Sequence, residues 1–316
     1  MLPGLLTFAA SLVVLLAAAR FFTQGAERIG LALGMSPFAV GVLIVSVGTS
    51  LPELVASIVA ANGGTSQIVL GNVLGANLSN LLLVMGAVAV AARASLQLGE
   101  QYILIDLHFL LGSVLLLALA LRDGVVGRLE GVALLAAYGV YLLYLVREGR
   151  TEGEPTRGGA AEPAPAAAVA WRDVLVLGAS AALIYLGARY TISSLETIAL
   201  GAGVSADLVA LTLLSVGTTL PELVVSATAA RAGKADVAVG NVLGSCVFNT
   251  LAVTGTASLV GPLRTTPDMR GLALPVFGAS ALLFYLLTLD KRVSRWEGVL
   301  LLLVYGFFIL EVARLV

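Results

Sequence analysis

Ten long apolar stretches are the feature that most limits what this chain can fold into. Each is 18 to 25 residues long, and about 20 apolar residues in a helix cross the hydrocarbon core of a bilayer. They are too long and too uniformly apolar for the alternating strands of a membrane barrel. The stretches are Leu2–Arg20, Phe38–Ala61, Ile68–Ala92, Tyr102–Leu121, Leu129–Val146, Trp171–Tyr190, Asp207–Ala230, Val237–Gly261, Gly271–Leu289 and Glu297–Leu315. They predict an all-α membrane protein with ten transmembrane helices.

The composition excludes several classes of protein. Only 12% of the 316 residues are charged and 59% are hydrophobic, whereas a soluble domain carries about 25% charged residues. A soluble globular enzyme and a disordered protein are therefore excluded. The net charge of −1 provides no basic patch for a nucleic acid. The single cysteine, Cys246, excludes an internal disulfide. We expect a lipid bilayer as the surroundings, no enzymatic activity, no cofactor and no obligate protein partner.

A polar segment divides the spans into two sets of five. Residues 147–170 include the run EGRTEGEPTRGGAAEPAPAAA, whose charge, glycine and proline favour a flexible linker. The predicted units are a first repeat at 1–146 and a second at 171–316. Twelve Lys and Arg residues fall on the linker side of the membrane and six on the other. The positive-inside rule then predicts a cytoplasmic linker and both termini outside the cell membrane.

The two halves share sequence motifs at a constant offset. Ser46–Ser57 reads SVGTSLPELVAS, and Ser215–Ser226 reads SVGTTLPELVVS, with ten of twelve positions identical. Gly71–Asn80 (GNVLGANLSN) matches Gly240–Asn249 (GNVLGSCVFN) at six of ten positions, again 169 residues later. Five spans is an odd number, so the second repeat enters the membrane from the opposite side. Inverted-topology repeats are typical of secondary transporters, with the site near the midplane where the repeats meet.

Each repeat places one glutamate, Glu53 or Glu222, in the middle of an apolar span. A carboxylate at that depth costs several kcal/mol unless it faces a partner or a wet cavity. No Lys or Arg lies at comparable depth in any span. A purely structural role is the competing interpretation, but an external cation is the simplest countercharge for two such residues at equivalent positions.

Hydroxyl groups accompany both glutamates along one face of the predicted helix. The two polar faces, at spacings i, i+3, i+4, i+7 and i+11, are Ser46, Thr49, Ser50, Glu53 and Ser57, and Ser215, Thr218, Thr219, Glu222 and Ser226. Pro52 and Pro221 lack an N–H, so we expect each span to break near its middle and to free carbonyl oxygens at 46–48 and 215–217. Such an all-oxygen set suits Ca²⁺, and two carboxylates neutralise one divalent ion.

The following spans carry a second polar line. Asn72, Ala76 and Asn80 repeat as Asn241, Ser245 and Asn249 at spacings i, i+4 and i+8. The amide oxygens of Asn80 and Asn249 would complete the coordination of a cation, with interhelical hydrogen bonding as the alternative. The pairs Gly71–Gly75 and Gly240–Gly244 form GxxxG patterns that favour close packing against the glutamate helices.

These paired motifs resemble a known family. The GTSLPE and GTTLPE segments, together with the two GNVLG segments and the asparagines that follow them, resemble the alpha-1 and alpha-2 repeats of prokaryotic sodium/calcium exchangers in the cation/calcium antiporter superfamily. The resemblance covers all ten spans. It implies alternating access in which the first and sixth helices slide across the other eight, and it implies that Glu53 and Glu222 bind Ca²⁺ in competition with Na⁺.

The resemblance also implies further ligands by position. They are Thr49, Ser50, Thr218, Thr219, Ser245, Asn80 and Asn249, with the backbone carbonyls of Ser46 and Ser215. Two residues depart from the family pattern. Ala76 stands where relatives often have a serine, and Asn249 where some archaeal relatives have an aspartate. Potassium-dependent relatives also use an acidic residue in this part of the second repeat, so its absence argues against K⁺ coupling.

Three other functions are compatible with the same spans. A proton/cation antiporter would share the fold, although the proton-coupled branch typically reads GNATEL where this chain reads GTSLPE. A passive cation channel would conduct without a countersubstrate. A membrane scaffold would bind no ion in a saturable way.

Overall fold

The computed structural model describes residues 2–63, 66–92, 95–98, 107–148, 169–201, 217, 219–267 and 269–315. Within these ranges ten helices follow one another along the chain. They are α1 (Leu2–Ala32), α2 (Pro37–Asn62), α3 (Ser66–Ala91), α4 (Leu107–Ala120), α5 (Arg128–Glu148), α6 (Trp171–Gly201), α7 (Leu220–Arg231), α8 (Ala235–Val260), α9 (Met269–Leu287) and α10 (Arg295–Leu315). Most of the predicted linker, residues 149–168, lies outside the described residues.

The all-α membrane architecture expected from the sequence is observed. In the described part of the chain, eight helices are long and apolar enough to cross a membrane, and α4 is a shorter apolar helix. The helix α7 is described only from Leu220 onward. The helices α1 and α6 continue well beyond their predicted ends at Arg20 and Tyr190. Beyond these points Arg28 of α1 pairs with Asp173 of α6, and Thr191 of α6 donates a hydrogen bond to Ser11 of α1.

The two longest helices, α1 and α6, pack against each other in opposite directions. Their contacts are Ser11 with Thr191, Leu15 with Gly187, Gly25 with Leu177, and Arg28 with Asp173. Residue numbers rise along one helix as they fall along the other, so the pair is antiparallel. Each helix begins its own repeat, and this antiparallel pairing is the arrangement that inverted repeats require.

The GNVLG helices α3 and α8 form the centre of the molecule. The apolar window of α8 is entirely buried, and α3 is the next most buried helix. The backbones of α8 and α2 approach closely, since a Cβ at Gly240 would lie 2.6 Å from the Phe38 carbonyl and one at Gly244 would lie 2.7 Å from the Val42 carbonyl. The GxxxG pair of the second repeat therefore makes the predicted close contact. No such backbone contact is seen among the described residues for Gly71 or Gly75.

Two short antiparallel ribbons link the repeats outside the helices. Strand β1 (Leu96–Gln97) pairs with β4 (Arg292–Val293), and β2 (Val125–Val126) pairs with β3 (Leu263–Arg264). Each ribbon takes one strand from each half of the chain. The ribbons join the α3–α4 connection to the α9–α10 connection, and the α4–α5 connection to the α8–α9 connection.

The expected break at Pro52 is wrong. Helix α2 continues through this proline, because one missing N–H removes a single hydrogen bond without ending a helix that is held on other sides. The irregular backbone instead lies earlier, in a π-helical stretch at Val40–Val45 that ends where the Ser46 N–H bonds the Gly41 carbonyl. In the second repeat, α7 has Pro221 in its first turn, a position that accepts proline. Residues 215 and 216 of the second predicted break lie outside the described residues.

Candidate cation site

Glu53 on α2 and Glu222 on α7 are both buried, with exposed fractions of 4% and 1%. Ser50, three residues before Glu53 on α2, hydrogen-bonds Glu222 Oε1 at 3.0 Å, so the glutamates of the two repeats lie near each other. The Oε2 atom of each has no hydrogen-bond partner among the residues that the structure describes. Among the salt bridges between described residues, none includes either glutamate. Two buried acids therefore share one region, and no basic residue in the described part of the chain balances them.

Ser50 connects three helices at this point. Its hydroxyl lies 3.0 Å from Glu222 Oε1 and 3.0 Å from Ser245 Oγ. All three residues are buried. Because a serine hydroxyl has one proton, it donates to one of the two oxygens at a time, and its lone pairs stay available. The contact brings predicted ligands from α2, α7 and α8 together.

Asn80 on α3 and Asn249 on α8 lie in π-helical stretches that the sequence did not predict. These stretches, Ser79–Val84 and Phe248–Val253, are separated by the same 169 residues as the motifs. Both asparagine side chains are buried, and neither amide has a hydrogen-bond partner within the described ranges. Interhelical hydrogen bonding, the alternative role for these residues, is therefore not observed. Single π-helical turns are frequent at functional sites because they re-aim side chains.

Thr49 takes part in a polar chain between α2, α8 and α7. Its hydroxyl lies 3.2 Å from Asn241 Oδ1, and Asn241 Nδ2 donates to Ser226 Oγ at 2.8 Å. The Thr49 hydroxyl is also 3.2 Å from the Ser46 carbonyl. Ser57, the repeat equivalent of Ser226, is buried and its hydroxyl has no partner. These hydrogen bonds between side chains were not predicted from the sequence, because they depend on the register between helices.

The remaining predicted ligands differ in their surroundings. The Ser46 hydroxyl donates to the Val42 carbonyl. Thr219 is buried at the start of α7, where its carbonyl accepts a hydrogen bond from the Leu223 N–H at 2.9 Å. Ser215 and Thr218 lie outside the described residues.

A second buried polar contact, absent from the sequence analysis, lies between α3 and α8. Asn77 Nδ2 donates to Thr250 Oγ1 at 2.8 Å, and the Cys246 Sγ lies 3.8 Å from the Asn77 carbonyl. Asn77 and Cys246 occupy equivalent positions of the two repeats. Asn77 is strongly polar where the equivalent position of the second repeat holds Cys246. This difference between the two repeats was the sequence signal for the contact.

The donor set is rich in neutral oxygen and poor in charge. No group of three or more His, Cys, Asp or Glu occurs among the described residues. The charge at the site therefore comes from the two glutamates, with hydroxyl and amide oxygens around them. Oxygen ligands of this kind suit hard cations such as Ca²⁺.

Helix α1 packs against α2, the helix that carries Glu53. The ring of Phe22 is buried against Gly48, where an added Cβ would lie 2.5 Å from the ring. Gly48 lies on α2 between the hydroxyl residues Ser46 and Thr49, before Glu53. A change in the position of α1 would therefore act on the helix that carries the first glutamate.

Comparison with known proteins identifies the family of this chain. The family model described as sodium/calcium exchanger protein matches residues 3–147 and 173–313. The chain belongs to the sodium/calcium exchanger family. The family is one of transporters, and the exchanger resemblance expected from the motifs is confirmed.

Relatives of the exchanger family align over nearly the whole chain. The putative antiporter CaxA of Alkalimonas amylolytica is 33% identical over 303 residues, 93% of each protein. The sodium/calcium exchanger MaX1 of Methanosarcina acetivorans is 28% identical, over 94% of this chain and 95% of its own. The solved structure of the sodium-calcium exchanger NCX_Mj, soaked with Na⁺ and Ca²⁺, superposes with a TM-score of 0.82 at 26% identity over 100% of this chain and 99% of that one. The predicted fold of ten transmembrane helices in two inverted repeats is confirmed.

Proposed function

We propose that this protein is a secondary antiporter that exchanges Na⁺ for Ca²⁺ across a membrane by alternating access. The observation that carries the proposal is the pair of buried carboxylates, Glu53 and Glu222, which have no basic partner among the described residues. The unpartnered Oε2 atom of each glutamate supports a cation as the missing partner. The names of the relatives MaX1 and NCX_Mj support Na⁺ and Ca²⁺ as the ions.

The proposed ligands combine the observed cluster with residues carried over from the family. They are Glu53, Glu222, Thr49, Ser50, Thr218, Thr219, Asn80, Asn249 and Ser245, with the carbonyls of Ser46 and Ser215. Na⁺ and Ca²⁺ compete for overlapping oxygens, so the two ions cross in separate half-cycles. The protein supplies ligands and needs no cofactor, because Na⁺ and Ca²⁺ are the transported substrates.

The proposed stoichiometry of three Na⁺ for one Ca²⁺ makes the exchange electrogenic. One Ca²⁺ leaves the two carboxylates neutral. Three Na⁺, the number that the family resemblance implies, leave the pair with one positive charge. The two half-cycles then move different charges across the membrane.

The orientation follows from the distribution of basic residues. We infer that the linker at 147–170 is cytoplasmic and that both termini are outside, because 12 of the 18 Lys and Arg residues fall on the linker side.

Ca²⁺ uptake into proteoliposomes tests the coupling ion. An outward Na⁺ gradient should drive ⁴⁵Ca²⁺ uptake, whereas an outward K⁺ gradient or a pH gradient alone should not. Uptake driven by the pH gradient alone would identify a proton/cation antiporter, and uptake that needs no countersubstrate would identify a channel.

Two substitutions test the site. Glu53→Gln and Glu222→Gln each remove one charge while keeping the side-chain shape, so each should abolish Na⁺-driven Ca²⁺ uptake. Glu311→Gln is the matched control, because Glu311 forms an exposed ion pair with Arg314, and such pairs contribute little. Wild-type uptake by either site variant would overturn the assignment.

A further inference from the structure

A cavity with basic residues in its lining lies away from the glutamates, between α1 and the end of α7. Its volume is about 430 Å³. The lining residues are Leu16, Arg20, Thr23, Gln24, Thr228, Arg231, Ala232 and Lys234. Three of these eight side chains are cationic, and none is acidic. The first repeat contributes one wall through α1, and the second repeat contributes the other.

Only one of the three cations has an acidic partner among the described residues. Lys234 pairs with Glu27 of α1, and that ion pair holds one rim of the cavity. Arg20 and Arg231 are exposed and form no salt bridge with any described residue. The cavity therefore carries an excess of about two positive charges. Such a lining repels Na⁺ and Ca²⁺, so the cavity does not suit the path of the transported cations.

The chemistry of the cavity matches an oxyanion. Arginine binds phosphate through paired N–H donors, and the Gln24 amide and the Thr228 hydroxyl are further donors. Leu16 lines the cavity one helical turn before Arg20 and is 47% exposed, so an apolar surface adjoins the basic side chains. An apolar surface next to two arginines suits a lipid, whose acyl chain is attached next to its charged headgroup. Basic pockets between transmembrane helices on the cytoplasmic side bind anionic headgroups, and the positive-inside rule places Arg231 on that side.

We propose that this cavity binds the phosphate of an anionic phospholipid between α1 and α7. Arg20 and Arg231 contact the phosphate oxygens from opposite repeats, and Leu16 contacts the acyl chain. A bound lipid would join α1 to the helix that carries Glu222.

Native mass spectrometry of the detergent-purified protein tests this binding independently of transport. The added probes are dioleoylphosphatidylglycerol, dioleoylphosphatidylcholine and sodium phosphate, each in a separate titration. The wild-type protein should bind phosphatidylglycerol in preference to phosphatidylcholine. The variant Arg20→Gln/Arg231→Gln should lose about tenfold in phosphatidylglycerol affinity, since each basic residue contributes separately to anionic-lipid binding.

The control variant removes the same charge from the same predicted side of the membrane. Arg147 and Arg172 are exposed and lie outside the cavity, so Arg147→Gln/Arg172→Gln should bind phosphatidylglycerol within twofold of wild type. Arg20→Lys/Arg231→Lys keeps the charge and should retain most of the affinity, which also shows that the cavity tolerates substitution. Equal losses in the site and control variants, or no loss in the site variant, would overturn the proposal. Arginine-dependent binding of free phosphate without binding of phosphatidylglycerol would overturn the lipid assignment.

Discussion

At the scale of single residues, the Ser50 hydroxyl is the contact through which the two repeats share a carboxylate. It lies 3.0 Å from Glu222 Oε1 on α7, although Ser50 itself belongs to α2. When a buried carboxylate loses a hydrogen-bond donor, the desolvation free energy of the unpaired oxygen is no longer offset. The position of Glu222 therefore depends on a residue of the other repeat.

Replacing Ser50 tests this dependence. We expect Ser50→Ala to lower Na⁺-driven Ca²⁺ uptake by about tenfold or more, because the lost bond to a charged group is worth about 1.5–3 kcal/mol. Initial ⁴⁵Ca²⁺ uptake rates in proteoliposomes measure the effect. Ser113→Ala on α4 is the control: its hydroxyl donates to the Leu110 carbonyl of its own helix at 2.7 Å, so uptake should stay within twofold of wild type. A loss in Ser113→Ala as large as that in Ser50→Ala would contradict the expectation.

The site residues whose burial is energetically costly were predictable from the sequence. The hydrogen bonds that depend on the register between helices were not. Glu53 and Glu222 were identifiable because a carboxylate inside an apolar span needs an explanation whatever its neighbours are. The hydrogen bonds from Thr49 to Asn241 and from Asn77 to Thr250 each join residues more than 170 positions apart. Their partners follow from how the helices are rotated against each other, and helical periodicity does not specify this rotation.

At the scale of the elements, the glycines of α8 set its distance from α2. A Cβ at Gly240 would meet the backbone carbonyl of Phe38 at 2.6 Å, and a backbone atom cannot rotate away as a side chain can. The same helices carry Ser50 and Ser245, so their separation also sets the geometry of the site.

We expect Gly240→Ala to destabilise the protein, because overpacking of a close contact costs about 1–3 kcal/mol. Its thermal unfolding temperature in detergent should fall clearly below that of wild type. Gly139→Ala on α5 is the control, since nothing lies within 4 Å of the added Cβ and alanine favours a helix over glycine by about 1 kcal/mol. Its unfolding temperature should be equal or higher. Equal unfolding temperatures for the two variants would show that the α2–α8 contact adjusts freely.

Helix boundaries and π-helical stretches were the least predictable elements. The segments Ser79–Val84 and Phe248–Val253 contain neither proline nor glycine, so no local signal marks them. Proline was a misleading signal at Pro52, where tertiary packing keeps the helix continuous. The ten spans themselves were predictable because the thickness of a bilayer fixes their length.

At the scale of the whole molecule, α1 and α6 form one unit that packs on the other helices. Ser11 Oγ and Thr191 Oγ1 lie 3.0 Å apart within this pair, whereas Glu27 of α1 pairs with Lys234 near the start of α8. If α1 and α6 slide as a unit, a cross-link between these two helices should leave transport intact. A cross-link from either of them to the other helices should block transport.

Cross-linking tests the sliding motion. A disulfide in Ser11→Cys/Thr191→Cys should leave Ca²⁺ uptake near the rate of the reduced protein. A bis-maleimide link in Glu27→Cys/Lys234→Cys should abolish uptake, while the unlinked variant remains active. Full uptake by the second variant after cross-linking would exclude movement of α1 relative to α8. Cys246 is buried, which limits its reaction with either reagent.

Voltage dependence tests the net charge of the cycle. An imbalance of one charge couples exchange to the membrane potential by about 2.3 kcal/mol per 100 mV. Three Na⁺ leaving per Ca²⁺ entering moves net positive charge outward. In proteoliposomes with potentials set by K⁺ and valinomycin, an inside-positive potential should therefore speed Ca²⁺ uptake that is driven by Na⁺ efflux. Rates that do not respond to the potential would indicate an electroneutral stoichiometry.

The two ribbons have a consequence for how such a molecule could arise. Each takes one strand from either half, so a half on its own would carry two strand edges that lack a partner. An ancestral gene that encoded a single five-helix unit could satisfy both edges only with a second copy inserted upside down. Dual orientation in the membrane would then have preceded gene duplication, and fusion would have made permanent an association in which each half pairs the strands of the other.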